Sequence, residues 1–314
     1  MKKYSLTANE LSLWLKYIEH QVGFILPSQQ VSWVKGIIER YLLAQQVTST
    51  EFLQQITNDN QLYHQLFDDI LIPHTQFFRH LPTFDFVEHY VANWREQYWG
   101  HGALANDEPP KSNLPISPVL TAWSVGCATG QEVVSVALSI AKQLGESGRF
   151  KVYGSDFNQQ ALAYARQGLY EIAESAYIPQ RYHAWLKFVT LGKVQVVDSV
   201  RAKLQFFSKN LVDYEQTMPV LPKQCQLILC NNVLIYFRQF EQRDVVQFLL
   251  EYLADDGILL LGVGELPQFN HPQLVKLPLS HINGYRKVNA PAWLKQRLKQ
   301  DIQQNIHKPM SFRD

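Results

Sequence analysis

At 314 residues the chain is long enough for one large domain or two ordinary ones, and two are expected. Its 29 Lys and Arg against 28 Asp and Glu leave a formal charge of +1, which excludes bulk attraction to nucleic acid or an anionic membrane, so any partner must be recognised locally. The longest apolar runs, such as Gly257–Val263, are far too short to span a bilayer. The opening MKKYSLTANELSLW has no signal-peptide core, and Cys127, Cys225 and Cys230 form no CxxC or Cys/His spacing. These features predict a cytoplasmic protein with no membrane insertion, no disulfide framework and no metal site, whose cysteines are small buried or loop residues.

From Thr7 to about Tyr98 the apolar residues recur at helical spacing, as in Leu11, Trp14 and Ile18, then Val34, Ile37, Ile38 and Tyr41. Polar breaks at Leu26-Pro27-Ser28 and Val47–Thr50 separate the helices, with Ser49 or Thr50 placed to cap before Glu51. Within this module Pro73 interrupts the pattern, Thr75 can cap a new helix, and Arg79 follows Phe77 and Phe78. By composition alone Arg79 reads as a snorkelling surface residue. The stretch Gly100–Pro118, rich in Gly, Pro, Asn and Ser, reads as a linker or surface loop.

Beyond it the pattern becomes α/β. A strand at Leu120–Val125 runs into the small-residue loop Gly126–Gly130 and a helix near Glu132–Leu144. A second strand, Lys151–Ser155, closes on Asp156 before the helix Gln159–Gln167. Two βα units in succession imply adjacent parallel strands, and the first loop is the nucleotide-binding corner of such a sheet. Asp156 suits a ribose diol, and it is equally close enough to cap the following helix. Glu171–Ala202 breaks the rhythm as an insertion carrying a short hairpin. The strands Leu204–Phe207, Gln226–Cys230 and Ile258–Val263 then follow, with a helix near Gln239–Leu253. Leu274–Leu279 and Tyr285–Val288 read as an antiparallel pair about an Ile282-Asn283-Gly284 turn, and the tail from 289 to 314 as polar and weakly amphipathic.

Several separate stretches then coincide in order and spacing: Thr75-Gln76-Phe77-Phe78-Arg79, Trp123 to Glu132, Gly154-Ser155-Asp156, Ala165 to Tyr170, Asn210 to Asp213, and Cys230 to Phe237. Together they resemble the CheR-type chemotaxis-receptor methyltransferases, from the helical module to about Val288. The resemblance implies an all-α N-terminal domain over residues 1–98, a Rossmann-like class I methyltransferase sheet with an antiparallel terminal hairpin over 119–288, and a small β-subdomain near 171–202; it leaves uncovered the tail and the linker or surface loop, 99–118, that composition predicts. It implies S-adenosylmethionine as cofactor, glutamates in the cytoplasmic domain of methyl-accepting receptors as acceptors, and a monomeric enzyme. Position by position it assigns Thr75, Arg79, Gly126, Glu132, Asp156, Asn210, Leu211 and Asn232 to the cofactor, and Arg79 and Tyr236 to catalysis. This replaces the surface reading of Arg79.

The chain departs from the family pattern in four places. Pro73 stands where the family has Asn. Gly130-Gln131-Glu132-Val133 replaces Gly-Glu-Glu-Pro, Cys230-Asn231-Asn232-Val233 replaces Cys-Arg-Asn-Val, and Gly262-Val263-Gly264-Glu265 replaces Gly-His-Ser-Glu. The charge lost at Asn231 leaves a second reading, a catalytically weak or inactive cofactor-binding regulatory module. The short insertion resembles members that do not dock a receptor's C-terminal peptide. A nicotinamide enzyme lacks its G-x-G-x-x-G here, an amino-group methyltransferase its Asn-Pro-Pro-aromatic turn, and a phosphoryl-transfer enzyme its P-loop.

Overall fold

The computed structural model describes residues 4–99, 118–189, 192–218, 220–267 and 269–288. The expected loop at 100–117 and the expected tail at 289–314 lie outside the described residues.

The chain opens with α1 (Ala8–Val22), α2 (Ser28–Gln45), α3 (Ser49–Asn58) and α4 (Asn60–Ile70). Local chemistry sets their ends. Thr7 and Glu10 form a capping box at α1, and Gly23 closes that helix at φ 72°. At α3 the cap is Thr48, one residue before the position expected, because Glu51 stands three residues after Thr48 and completes a second capping box. Asp59 accepts from the amides of Gln61 and Leu62 at the start of α4. Trp14, Ile18, Val34, Ile38, Phe52, Phe67 and Ile70 face one another as the core of this module.

Residues 71–80 then run without regular structure into α5 (Leu81–Trp99), so Thr75 caps nothing. In sequence α5 belongs to the helical region, but its buried side chains Phe84, Val87, Val91 and Trp94 join the core of the sheet domain.

That domain consists of β1 (Leu120–Val125), α6 (Gln131–Leu144), β2 (Phe150–Asp156), α7 (Gln159–Gln167), β3 (Tyr170–Glu171), β4 (Leu186–Phe188), β5 (Lys193–Val196), α8 (Asp198–Arg201), β6 (Leu204–Ser208), β7 (Cys225–Cys230), α9 (Gln239–Tyr252), β8 (Leu253–Leu261), β9 (Leu274–Lys276) and β10 (Asn283–Lys287). The main sheet has the order β6-β2-β1-β7-β8-β10-β9. Its first five strands are parallel, and β10 is antiparallel to both neighbours. All six residues of β1 are buried, as befits a strand covered on both faces. The insertion forms a separate antiparallel sheet, β3-β5-β4, in place of the simple hairpin expected.

Two expectations near the end fail for packing reasons. Strand β8 begins at Leu253, directly after α9, because Leu253 pairs with Cys225 ahead of a bulge. Asn283 and Gly284 lie within β10, opposite Leu261 and Leu260, and form no turn. A Cβ at Gly284 would come 2.8 Å from Leu277 Cδ1, so the glycine serves a close approach between strands. All three cysteines are buried and free, and burial pushes their thiols up in pKa.

Candidate active site

The strand order reverses direction between β1 and β7, and the crevice at the carboxyl ends of such strands is where open α/β sheets bind ligands. A cavity of about 200 Å³ lies there. Gly126 and Ala128 come from the β1 loop, Asp156 from the end of β2, Asn210 and Leu211 from the segment after β6, and Asn231, Asn232, Val233, Ile235, Tyr236 and Phe237 from the segment after β7. Ile72, Pro73, His74 and Arg79 come from the connection ahead of α5.

Gly126 and Gly130 take φ of 65° and 92°. A Cβ at Gly126 would sit 2.4 Å from Val233 Cγ2, and one at Gly130 would sit 2.9 Å from Ala165 Cβ. Neighbouring elements therefore already require both glycines.

Asp156 is half-buried. Its Oδ2 accepts from the Ala128 amide at 2.8 Å and its Oδ1 from the Asn158 amide at 2.9 Å. The cap of α7 is Asn158, whose Oδ1 accepts from the Ala161 amide at 2.7 Å, so the capping reading of Asp156 falls. Burial raises the Asp156 pKa, and the amides of Asn158, Ala128 and Phe157 oppose the shift.

Glu132 does not line the cavity. It stands behind the wall, with Oε1 accepting from Ser124 Oγ and Oε2 from Asn231 Nδ2, both at 2.7 Å. Asn231 thus satisfies the carboxylate with a neutral donor. Burial raises the Glu132 pKa, against the Asn231 and Ser124 hydrogen bonds and the nearby charge of Arg79.

Glu265, absent from the sequence-based assignment, is 2% exposed and organises the segment after β7. Its carboxylate accepts from the amides of Gly262 at 2.7 Å, Asn232 at 3.0 Å and Ile235 at 3.2 Å. Asn232 is held in the left-handed region at φ 59°, a conformation that costs energy and persists where surrounding bonds enforce it. The glutamate ending Gly262-Val263-Gly264-Glu265 was the sequence signal for this role. Lys209 carried no such signal. It is 2% exposed, donates to the carbonyls of Asp213 and Gln216 within the segment that forms the cavity wall, and is pushed down to about 8 by burial.

The Thr75–Arg79 stretch is fixed by its aromatics. Phe77 meets Tyr170 edge-on at 4.9 Å, Phe78 stacks on Tyr182 at 4.5 Å, and the Phe78 amide donates to Ser135 Oγ at 3.0 Å. With its two neighbours anchored, Arg79 reaches the cavity exposed, making no hydrogen bond or ion pair among the described residues. Thr75 is half-buried and does not line the cavity. Tyr236 lines it, its ring 5.3 Å from that of Phe24, and its hydroxyl and the Asn232 carboxamide make no hydrogen bond among the described residues. Asn210 lines it as well, but its side chain is committed elsewhere, donating to the Gln21 carbonyl at 2.7 Å and accepting from the Val212 amide at 3.3 Å.

This donor set fits a cationic nucleoside. A carboxylate at the end of β2 suits a diol, while Asn210 and Leu211 line the wall beside it. The Asp156 carboxylate favours a positive charge nearby, and the Arg79 guanidinium, unpaired among the described residues, suits a carboxylate. Among the described residues no His, Cys, Asp or Glu cluster could hold a metal ion, and no helix is long and apolar enough to cross a membrane.

The chain is similar to several known proteins. The chemotaxis protein methyltransferase of Salmonella typhimurium is 32% identical over 148 residues, covering 46% of this chain and 50% of that one, so the matched stretch spans about half of that relative's length. The chemotaxis protein methyltransferase of Borreliella burgdorferi is 26% identical over 83% of this chain and 89% of its own. Among solved structures, the DszA carbon methyltransferase is similar at a TM-score of 0.36 and 14% identity, over 81% of this chain and 51% of that one. The model of the family described as CheR methyltransferase, SAM binding domain, matches residues 73–280, from the connection ahead of α5 to the strands that close the sheet, and the chain belongs to that family.

Proposed function

We propose that the protein transfers a methyl group from S-adenosylmethionine to glutamate carboxylates in the cytoplasmic domains of methyl-accepting chemotaxis receptors. The observation that carries this reading is the Arg79 guanidinium, unpaired among the described residues, on the same cavity as Asp156, Asn232 and Tyr236. When bound, the cofactor supplies a methyl carbon on a cationic sulfur, which a carboxylate oxygen displaces to give a methyl ester and a neutral thioether.

A glutamate side chain with an ordinary pKa of about 4.3 is ionised at neutral pH, so no general base is needed. What the chain must provide is orientation and exclusion of water. Arg79 holds a carboxylate through paired donors, and Tyr236 donates its hydroxyl to the oxygen left over. Asp156 binds the ribose hydroxyls, Gly126, Asn210 and Leu211 line the nucleoside, and the Asn232 carboxamide faces the methyl-transfer end. Glu132 acts through Asn231, fixing the wall behind the reacting groups. Thr75 belongs with the cofactor through the stretch that it shares with Arg79.

Calorimetry with S-adenosylmethionine and S-adenosylhomocysteine, followed by transfer of a labelled methyl group to receptor-containing membranes, tests this reading. Absence of heat with both ligands overturns it. Binding without transfer selects the regulatory-module reading, which the neutral Asn231 favours.

A further inference from the structure

The geometry points to Asp68 and Asn158 as a reciprocal clamp, a pair of positioning residues that couples the cofactor carboxylate Asp156 to the cavity wall formed by Ile72, Pro73 and His74; this inference rests on the cofactor reading above. The clamp crosses from the helical module to the sheet domain in both directions. Asp68, on the last turn of α4, accepts from the first amides of α7, with Oδ1 2.6 Å from the Gln159 amide and Oδ2 3.2 Å from that of Gln160. In return Asn158 Nδ2 donates to the carbonyls of Asp68 at 3.1 Å and Leu71 at 3.0 Å. One helix thus supplies an anion to the amide end of the other and receives donors at its own carbonyl end, which satisfies both orphaned termini.

The chain of bonds continues to the cavity on each side. Leu71 is followed directly by Ile72, Pro73 and His74, all lining it. On the other side the Asn158 amide donates to Asp156 Oδ1, whose second oxygen holds the Ala128 amide of the β1 loop. Between the two, Phe157 is seated in the helical module, its ring 5.7 Å from that of Phe67 and 6.2 Å from that of Tyr63. The run Asp156-Phe157-Asn158 therefore does three things in succession: it presents a carboxylate to the cavity, pins the sheet domain into the core of the helical module, and ties down the start of the Ile72–His74 wall. A cofactor that engages Asp156 stiffens the same strand end that holds the Ile72–His74 wall, and a clamp loosened at Asp68, which does not line the cavity, loses affinity at a residue outside the ligand's reach.

Two substitutions separate the clamp from helix capping. Asp68→Ala removes both acceptors. Asn158→Ser keeps a side-chain oxygen to cap α7 but loses the donors to Asp68 and Leu71. Each is expected to weaken S-adenosylhomocysteine binding at least tenfold in calorimetry. Each should also abolish the cofactor-dependent protection of the amides of Leu71, Ile72 and residues 74–76 from hydrogen exchange, and the methyl-transfer rate of Asp68→Ala at saturating cofactor should stay within threefold of wild type. Asp68→Asn, which keeps one acceptor oxygen, should bind within threefold of wild type, and Asp68→Ala combined with Asp156→Asn should lose less affinity than the two single losses added together. Either principal variant decides the matter if the other fails to fold. Binding within twofold of wild type in a folded variant, or additive losses, overturns the clamp alone, whereas no binding by the wild-type protein overturns the cofactor reading and the clamp with it.

Discussion

Replacing Arg79 by alanine isolates what its guanidinium contributes. The side chain is exposed and unpaired among the described residues, while the packing of its stretch is carried by Phe77 at 2% and Phe78 at 6% exposure. The substitution should therefore change folding stability by no more than about 0.5 kcal/mol, the ordinary range for a surface site. Its cost falls on the bound carboxylate. A hydrogen bond to a charged partner contributes about 1.5–3 kcal/mol, and with about 1.4 kcal/mol per tenfold the expected loss in kcat/KM is roughly 10- to 150-fold. Arg79→Lys keeps the charge and loses the planar fork, so it should fall between wild type and Arg79→Ala. The assay is labelled-methyl transfer at varied cofactor and receptor concentrations, paired with a thermal melt of each variant. Wild-type kcat/KM in Arg79→Ala, or a loss of activity matched by an equal loss of folded protein, refutes the assignment.

Tyr236→Phe should leave stability unchanged, because its hydroxyl has no partner among the described residues, and should slow methyl transfer by roughly 10- to 150-fold, the equivalent of about 1.5–3 kcal/mol for one hydrogen bond to a charged group. A wild-type rate removes Tyr236 from the site. Gly126→Ala forces a Cβ onto φ 65° and to within 2.4 Å of Val233 Cγ2, which should destabilise the fold by about 2–4 kcal/mol in urea unfolding as left-handed strain and overpacking add. Pairing it with Val233→Ala should recover the steric part only. Glu132 has a pKa raised by burial, so its native state takes up protons more readily than the unfolded chain does. Its contribution to stability is therefore greatest at low pH and declines as pH rises from the ordinary value, about 4.3, through the raised one. The stability of wild type relative to Glu132→Gln should fall across that window, and a pH-independent difference contradicts the shift.

Much of the fold was legible because its determinants are local. Strand β1 and helix α7 lie where the spacing put them, since an unbroken apolar run and a short amphipathic segment between Asn158 and Gly168 each have one compatible structure. The Asn283-Gly284 pair misled because the same two residues serve a hairpin turn or a close strand contact, and only the partner strand decides between them. Asp156 was open in the same way. The loop before it favours the ribose reading, but a carboxylate three residues before a helix keeps a capping alternative until Asn158 is seen to hold that position.

What the sequence determined by itself is the inventory: a helical module, a glycine-bearing loop after a buried strand, an acidic residue closing the next strand, and the Thr75–Arg79 and Cys230–Phe237 stretches whose order resembles one family. What only the tertiary structure decided is which of these groups meet. Arg79 reaches a cavity whose other walls lie up to 158 positions further along the chain, at Phe237, because Phe77 and Phe78 find Tyr170 and Tyr182. Glu132 withdraws behind the wall because Ser124 and Asn231 claim both its oxygens. The amides that Glu265 gathers and the Asp68–Asn158 clamp emerge only in three dimensions. Periodicity and capping act over a few residues and are written in the order of the chain, whereas the partner of a buried charge is set by whatever the packed elements bring within about 3 Å of it.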